Sequence, residues 1–258
     1  MSTEVGLVDG DDASNPVVDD GDIDGVAGAV PDGRGRRPVL SRSEVLAAAL
    51  SLIDRDGVEA LSMRRLGKAL GRDPMRLYRH ASSKDELLDG VVELVLSELS
   101  VPVPADAGDW EQALRRTAHA FRAIVLAHPY VVPLLVTRPL ATPLAMRPLG
   151  TLRPLEDLLA LFMEAGFDGR GALHAYRLYV GFLYGHVLNE LQERVQDPDE
   201  SDDLLRLGLY RLPVLEFPRL RALATELAEY DGGQELDEGL DVILAGLREQ
   251  LKARPTDS

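Results

Sequence analysis

Apolar residues along this chain recur mainly at the spacing of a helix. Val45, Ala48, Ala49, Leu52 and Ile53 follow one another at intervals of one to four residues, which places them on one helical face. Similar spacing returns in later segments, and no segment alternates apolar and polar residues for long enough to predict a sheet. The pattern therefore predicts an all-α fold.

Helix-start and helix-stop residues predict four helices in the first hundred residues. The predicted starts are a capping box at residues 41–44, Ser62, Asp73-Pro74 and a second capping box at residues 83–86. The predicted ends are Gly57, Gly71, about His80 and about Leu99. The second and third helices are short and follow each other closely, which is typical of a helix-turn-helix.

Prolines and glycines divide the rest of the chain into further helices. The predicted helices cover about 110–127, 155–165, 168–194, 219–229 and 236–251. Between them we expect a linker over 101–108, a short apolar piece over 130–136, an interrupted connection over 138–154 with four prolines, and an acidic loop over 196–203.

Charge is distributed unevenly along the 258 residues, whose formal net charge is -15. Residues 1–33 contain nine acidic residues and neither Lys nor Arg, whereas residues 34–84 contain twelve basic and five acidic residues. Residues 85–258 contain sixteen basic and twenty-nine acidic residues. This distribution argues against general adhesion to nucleic acid but allows phosphate contact at the one basic segment.

The first 35 residues predict a disordered acidic tail with a basic end. Two interpretations of the tail stay open, a solubilising leader or a segment that competes with DNA for the basic surface. Arg34, Arg36 and Arg37 resemble a short basic arm, which would either contact phosphates or the minor groove or simply be solvated.

Composition and motifs argue against several other classes of protein. Cysteine is absent, which fits a cytoplasmic protein, and no apolar run approaches the roughly 20 residues of a membrane span. Neither a metalloprotease, a hydrolase-nucleophile nor a phosphate-loop motif is present, so we do not expect an enzyme. His186 and Glu190 share a helical face, but two ligands are too few for a metal site, and we expect no metal and no cofactor.

The helix pair within residues 61–84 carries more polar side chains than its core can bury. Leu66, Leu70 and Leu77 can face inward. The cationic and aromatic residues that remain outside are Arg64, Arg65, Lys68, Arg72, Arg76, Tyr78, Arg79, His80 and Lys84. A helix-turn-helix with its second helix in the DNA major groove would explain this surface, although such helix pairs are also common in other all-α proteins.

Three motifs in this region occur in order: Leu-Ser-x-Arg-x-Leu-Gly-x-x-Leu-Gly, Leu-Tyr-x-His and Ser-Lys-x-Glu-Leu-Leu. With them, residues 41–99 resemble the DNA-binding head of TetR-family transcriptional repressors. A weaker resemblance to the tetracycline-repressor branch continues through Trp110, Phe121 and Thr137-Arg138-Pro139. It implies a homodimer built on a four-helix bundle from the 168–194 and 236–251 helices.

The resemblance also implies which residues meet DNA. The expected DNA-binding residues are Ser62, Arg64, Arg72, Met75, Arg76, Tyr78, Arg79, His80 and Lys84. Arg64 matches a base contact and Lys84 a phosphate contact of the family. Pro74, Met75 and Arg76 replace polar residues of the tetracycline branch, so the operator sequence should differ. Two alternatives stay open: Tyr78 half-packed on the helix pair, and His80 capping the third helix.

A small-molecule pocket is expected in the second part of the chain, because proline-broken helices in a bundle leave concave space. The expected ligand-binding residues are Thr117, Phe121, Leu134, Thr137, Arg138, His174, His186 and Asn189. Leu134 stands where the tetracycline branch has a metal-binding His, and Asn189 replaces its acidic partner, which argues against a magnesium–tetracycline ligand. Tyr176, Tyr179 and Tyr184 could add polar groups to the pocket or belong to the core or dimer interface.

Together these observations favour a cytoplasmic, homodimeric repressor that binds a palindromic operator and is released by a small-molecule effector. The expected divisions are the tail at 1–35, the three-helix DNA-binding head with its connecting fourth helix at 36–98, and the effector-binding and dimerisation domain at 99–258. Two alternatives are an activator or ligand-independent regulator with the same head, and a helical protein-interaction module.

Overall fold

Twelve α-helices make up most of the chain that the computed structural model describes, namely residues 40–104, 106–141, 143–195 and 202–253. Their bounds are α1 Arg42–Asp56, α2 Met63–Leu70, α3 Pro74–Leu77, α4 Lys84–Ser97, α5 Trp110–Ala127, α6 Val132–Ala141, α7 Leu149–Glu164, α8 Gly169–Val195, α9 Asp202–Tyr210, α10 Pro218–Ala222, α11 Ala224–Ala228 and α12 Gly232–Lys252. No strand occurs in this part of the chain, and the all-α prediction is confirmed. The predicted acidic tail and basic arm lie outside the described residues.

Local side-chain caps start the first three helices where the sequence predicted them. Ser41 and Glu44 form a complete capping box, in which the Ser41 N–H donates to the Glu44 carboxylate at 2.7 Å. Ser62 accepts from the N–H of Arg65 at 3.2 Å, and Asp73 accepts from the N–H of Met75 at 2.8 Å. These bonds satisfy N–H groups that have no partner within the helix.

The fourth predicted cap is only partly formed as a capping box. Ser83 accepts from the N–H of Glu86 at 3.1 Å, as predicted. The Glu86 carboxylate, however, accepts from the N–H and hydroxyl of Ser82, at 2.7 and 2.6 Å, instead of from Ser83. These hydrogen bonds lower the pKa of Glu86. The loop before α4 is therefore fixed one residue earlier than predicted.

The head and the larger helical body share α4. Leu87, Leu88, Val91, Val92 and Val95 are buried along this helix, which packs against α1 on the head side and against α6 and α7 on the body side. A helix that is apolar on most of its circumference is typical of one enclosed by neighbours. The connecting helix is thus part of both cores.

Several predicted helix boundaries in the body are wrong. The stretch 138–154, predicted as an irregular connection, contains the end of α6 and the first turns of α7, with Pro154 inside the helix. Burial of Leu158, Leu161 and Phe162 on one face of α7 outweighs the hydrogen bond that proline removes. The helix predicted at 219–229 is two short helices, interrupted at Leu223.

The C-terminal third also differs from the prediction. The start of α9 at Asp202 falls within the predicted acidic loop, and this helix was not predicted. Its Leu204 and Leu207 are more than half exposed. The last helix begins earlier than expected because Asp231 accepts from the N–H groups of Gly233 and Gln234, which places both glycines inside α12.

Aromatic side chains and one ion pair join α5 to α8 and to the loop between α7 and α8. Trp110 contacts Phe167 edge to face, with ring centroids 6.0 Å apart. Tyr179 is fully buried, and its hydroxyl donates to the carbonyl of Leu114 at 2.6 Å. Arg122 of α5 binds the buried carboxylate of Glu190 on α8 through two hydrogen bonds of 2.8 and 2.6 Å.

No single helix among the described residues is long and apolar enough to cross a membrane. One consecutive pair, Trp110–Ala127 with Pro129–Arg138, has sufficient apolar length but bends by 98°.

Substitution of Arg122 by Met should destabilise the body, since it leaves the buried Glu190 carboxylate without its bidentate partner. We expect the free energy of unfolding to fall by about 3 kcal/mol or more, measured by urea denaturation at a fixed protein concentration. Arg116→Met, on an exposed position of the same helix, is the matched control. Equal stability of the two variants would contradict a stabilising role for this ion pair.

Candidate nucleic-acid surface and ligand cavity

Two tightly packed short helices form the candidate nucleic-acid surface. Leu66 of α2 and Leu77 of α3 are fully buried between them. Gly71 ends α2 in the left-handed region, at φ 60° and ψ 36°, which a residue with a β-carbon rarely adopts. At Gly67 a β-carbon would lie 2.9 Å from the carbonyl oxygen of Arg72, so only glycine allows this approach of the turn to α2. The two glycines therefore allow the turn that leads into α3 to pack closely against α2.

The structure places the predicted DNA-binding residues together on or beside these helices. Those that are exposed are Ser62, Arg64, Met75, Arg76, Tyr78, Arg79 and Lys84, whereas Arg72 and His80 are half-buried. Met75 has 74% of its surface exposed although it is apolar, and Tyr78 has 46%. A methionine this exposed on a short helix has no role in the core of the described chain, so it is available to a partner.

Acidic neighbours neutralise some of the cations in this region but not others. Asp56 binds both Arg55, at 2.9 Å, and Arg65, at 2.6 Å, and Lys84 lies 4.0 Å from Glu59. The hydrogen bond from Arg55, assisted by the positive charges of Arg55 and Arg65, lowers the pKa of Asp56. Arg65 is therefore partly neutralised by the protein itself.

Arg64, Lys68 and Arg76 are cations of this surface that no described acidic residue neutralises. Each is exposed, and none forms an ion pair with another described residue. Arg79 is also exposed. Its Nε donates to the carbonyl of Arg76 at 3.1 Å and so satisfies a carbonyl at the end of the short α3 helix. The surface thus combines unneutralised cations with an exposed apolar side chain, as a base-reading helix requires.

Arg138, predicted to bind a ligand, instead holds the first turn of α4. Its guanidinium donates to the Asp85 carbonyl at 2.8 Å and to the carboxylates of Asp85 and Asp89. The hydrogen bond to Asp89 is the main reason that the pKa of Arg138 is raised, against the opposing effect of burial. This interaction fixes α6 to the helix that begins with Lys84.

A small cavity of about 60 Å³ lies between α4, α5, α7 and α8. Its lining residues are Leu96, Leu99, Thr117, Phe121, Thr151, Pro154, Leu155, Leu158, Tyr176, Tyr179, Val180, Leu183 and Tyr184. None of these side chains is charged, and none is a histidine. The enclosure is therefore suited to an apolar molecule, with hydroxyl groups as its only polar side-chain groups.

Only two of the eight predicted ligand-binding residues, Thr117 and Phe121, line this cavity. Leu134 is buried in the core, and Thr137 is exposed with its hydroxyl bound to the carbonyl of Pro133 at 2.7 Å. Asn189 is exposed on α8. The structure does not bring these three to the cavity, and the set remains a prediction as far as ligand contact is concerned.

His174 lines a different and much more open groove between α8 and the end of α12. This groove has a volume of about 610 Å³ and is lined by Phe167, Arg170, Gly171, His174, Arg177, Gln250 and Ala253. It lies on the surface of the two helices that the resemblance assigned to dimerisation. His174 is consequently separated from Thr117 and Phe121.

His186 lies in a buried polar cluster instead of the cavity. Its Nε2 is 3.6 Å from the Glu190 carboxylate, too far for a hydrogen bond, and has no other hydrogen-bond partner in the described chain. Burial lowers the pKa of His186, although the negative charge of Glu190 opposes this shift. Among the described residues, no group of three or more His, Asp or Glu side chains could hold a metal ion.

Sequence reasoning missed the walls that α4 and α7 contribute to the cavity. Leu96 continues the apolar face of α4, and Leu99 follows just after the helix. The sequence pattern indicates both. Thr151, Pro154 and Leu155 were assigned to a proline-rich connection and the start of a helix. Their position depends on the packing of α7 against α8, which the local sequence does not specify.

Comparison with known proteins agrees with both parts of this architecture. Residues 45–91 match the family model described as bacterial regulatory proteins, tetR family, and residues 102–251 match the tetracyclin repressor-like C-terminal domain. An HTH-type transcriptional regulator of Saccharopolyspora erythraea is 32% identical over 231 residues, covering 87% of this chain and 93% of the relative.

Two further similarities extend over most of the chain. The class D tetracycline repressor protein of Escherichia coli is 30% identical over 222 residues, covering 83% of this chain and 92% of the relative. The crystal structure of the Streptomyces coelicolor TetR family protein ActR in complex with actinorhodin has a TM-score of 0.69 and 28% identity. That comparison covers 83% of this chain and 99% of ActR.

The lowered pKa of His186 predicts a pH dependence of stability. Above the ordinary histidine pKa of about 6.5 this residue is neutral in both states and contributes no pH dependence. As the pH falls below that value, the unfolded chain binds the proton first, so the free energy of unfolding decreases until the lowered pKa of the folded state is reached.

This contribution can be isolated by urea unfolding between pH 7.5 and 5.5. We expect His186→Gln to lose less stability on acidification than the wild type. The exposed His174→Gln variant is the control and should keep the wild-type slope. An identical slope for His186→Gln and the wild type would contradict the prediction.

Proposed function

This chain belongs to the tetR family of bacterial regulatory proteins, and from that membership we propose that it represses transcription as an effector-responsive homodimer. It is a DNA-binding transcriptional regulator and not an enzyme. The exposed, unneutralised cationic surface of α2 and α3 is the observation that carries the proposed mode of DNA binding. We place this action in the cytoplasm, where a bacterial regulator meets the chromosome.

Each protomer would place one α3 helix in the major groove of one operator half-site. In a homodimer with two such helices, the centres of the half-sites should be about 34–36 Å apart or a multiple of that distance. The operator should therefore be palindromic, like the dimer. Because residues 85–258 carry a net negative charge, DNA contact should be confined to the heads and sensitive to salt.

The side chains of the surface suggest separate roles in recognition. Arg64 and Arg76 can form forked hydrogen bonds to guanine, and the exposed Met75 can contact a thymine methyl group. The remaining expected residues, Ser62, Arg72, Tyr78, Arg79, His80 and Lys84, would position the head on phosphates. Lys84 begins α4, whose N-terminal N–H groups add to the attraction for a phosphate.

Exposed apolar and small residues on α8 and α12 support dimerisation through these two helices. Leu173, Leu178 and Val242 are exposed, with Val242 exposing 74% of its surface. Gly181 and Gly185 on α8 have open space where a β-carbon would point. Two copies that bring these faces together would form the four-helix bundle that the resemblance implies.

The effector would bind in the cavity whose wall includes Leu96 of α4 and Leu99, two residues after the end of that helix. Its volume of about 60 Å³ is far below the roughly 300–1,000 Å³ of ligand pockets. A ligand must therefore displace wall residues, and α4 is the wall that also supports the head. This provides a direct route from the cavity to operator release.

Glu93 links the two helices on either side of this route. Its carboxylate accepts from the N–H of Gly150 in the first turn of α7, at 3.2 Å, and lies 3.6 Å from the Arg42 guanidinium of α1. Movement of α7 away from α4 would break the first contact and leave the second. Glu93 thus couples the cavity wall to the head.

The division near residue 98, between a head at 36–98 and a body at 99–258, is supported by the end of α4 at Ser97.

The names of similar proteins refer to different small molecules. ActR has been crystallised with actinorhodin, and other relatives are tetracycline repressors by name. The cavity of this chain contains no His, Asp or Glu side chain, so a metal-chelate ligand would find no protein ligand for its metal there. We propose an apolar effector that needs neither metal nor cofactor.

Loss of two cations should affect DNA binding in different ways. We expect Arg76→Ala to weaken binding to the operator by about 1–3 kcal/mol and to relax its sequence preference. Lys84→Ala should weaken binding to all sequences and lower the dependence of log affinity on log salt by about one unit. Fluorescence anisotropy with fragments of the promoter region beside the gene, over a salt series, measures both.

The control for this experiment is Arg153→Ala, which removes an exposed cation from α7 in the body. It should bind as the wild type does. If Arg76→Ala and Lys84→Ala also bind as the wild type does, α3 and the start of α4 are not the DNA-binding surface.

Removal of the Glu93 link should change regulation more than folding. In Glu93→Ala we expect the affinity for the operator to fall by roughly fivefold or more, because α4 loses contacts with α1 and α7. Stability should change little, since surface ion pairs contribute about 1 kcal/mol or less. Glu156→Ala, at an exposed position of α7, is the control, and equal operator affinity of the two variants would argue against this route.

A further inference from the structure

The hydroxyl groups that line the cavity are not all committed to the protein. Three of the five donate to backbone carbonyls one turn away or on a neighbouring helix: Thr117 to Ala113 at 2.8 Å, Thr151 to Pro148 at 2.7 Å, and Tyr179 to Leu114 at 2.6 Å. Tyr176 and Tyr184 line the same cavity and form no hydrogen bond with another described residue. The two phenols are therefore the donors that a ligand can use.

Both phenols lie on α8, eight residues apart, so their backbone positions are about two turns apart along the helix and about 80° apart around it. Burial raises the pKa of Tyr184 to about 12 and raises the pKa of Tyr176 as well. Both groups consequently keep their protons at neutral pH and can donate hydrogen bonds. The positive charge of Arg147 lies close enough to oppose these shifts slightly.

The remainder of the lining offers almost no competing polar contact. The apolar members are Leu96, Leu99, Phe121, Pro154, Leu155, Leu158, Val180 and Leu183. Phe121 packs against Tyr184, with ring centroids 5.7 Å apart, which restrains the orientation of that phenol. A ligand with an accepting oxygen near the phenols would gain hydrogen bonds from their O–H groups. A ligand with only donors there would leave those O–H groups without an acceptor.

We propose that Tyr176 and Tyr184 select the effector, which is an apolar molecule whose carbonyl oxygen accepts a hydrogen bond from one or both phenols. The positive potential of Arg147 favours the same partially negative oxygen. This inference rests on the proposed function of the cavity as the effector site. It adds the chemical class of the ligand and names the two residues that recognise it.

A matched pair of bicyclic compounds tests this selection on the full-length chain. 1-Tetralone and tetralin share one carbon skeleton and differ by the carbonyl oxygen. Equilibrium dialysis gives the dissociation constant of each for the wild type and for Tyr176→Phe, Tyr184→Phe and the double variant. Phenylalanine keeps the ring and its packing, so each variant removes only the hydroxyl.

We expect the double variant to bind 1-tetralone roughly tenfold more weakly than the wild type, as the loss of one or two hydrogen bonds predicts. Tetralin should bind the two proteins equally. Tyr130→Phe, at a half-exposed position outside the cavity, is the control and should bind both compounds as the wild type does. An unchanged ratio of the two dissociation constants in the double variant would overturn the inference, as would binding of neither compound.

Operator binding, measured in the same series, separates this inference from the proposed function. If 1-tetralone binds with the expected dependence on the phenols but leaves the operator complex intact, the recognition chemistry is supported and effector release is not. If 1-tetralone releases the operator equally from the wild type and the double variant, the phenols do not select the ligand, although the proposed function is supported.

Discussion

Most of this structure depends on the packing of one helix, α4, in two cores at once. Its buried leucines and valines pack against α1 on the head side and against α6 and α7 on the body side. Such a helix cannot move relative to one core without disturbing its contacts with the other, because protein interiors are close-packed. The position of the head is therefore set by the same contacts that close the cavity.

Polar contacts hold α4 at two positions along its length. Arg138 of α6 binds the carbonyl of Asp85 and the carboxylates in the first two turns, and Glu93 joins the third turn to α7 and α1. The cavity touches the helix near its other end, at Leu96, and touches Leu99 just after that end. A ligand in the proposed effector cavity would therefore act on the end of α4 farthest from the Arg138 contact. With the first turn held by Arg138, displacement of that end would tilt the helix more than shift it.

The sequence was sufficient for features whose cause is local. Ser41, Ser62, Gly71 and Asp73 specify helix ends through their own hydrogen bonds or backbone conformation, and all four act as predicted. The polar surface of α2 and α3 could also be predicted, because the leucines between them fix which side faces inward. A pocket in the body could be predicted, but most of its lining could not, since Pro154 interrupts the local pattern of α7 and the burial of Leu158, Leu161 and Phe162 supports the helix there. Leu134 and Arg138 match pocket positions of the tetracycline branch in sequence. In this structure Leu134 is buried in the core, and Arg138 binds the Asp85 carbonyl in the first turn of α4.

Placement of charge explains why the cavity and the buried polar cluster must be distinct. Glu190 is fully buried, and Arg122 neutralises it while His186 stays close beside it. A carboxylate with this partner stabilises the contact of α5 with α8, but it would be costly next to an apolar ligand that displaced the partner. The cavity lies on the same two helices and has only hydroxyl groups as polar side chains. A neutral lining can open and close without separating an ion pair. In the absence of charged side chains, the tyrosine hydroxyls of α8 would orient a ligand through hydrogen bonds. The part of the body that would yield to the proposed effector is therefore a part whose lining side chains carry no charge.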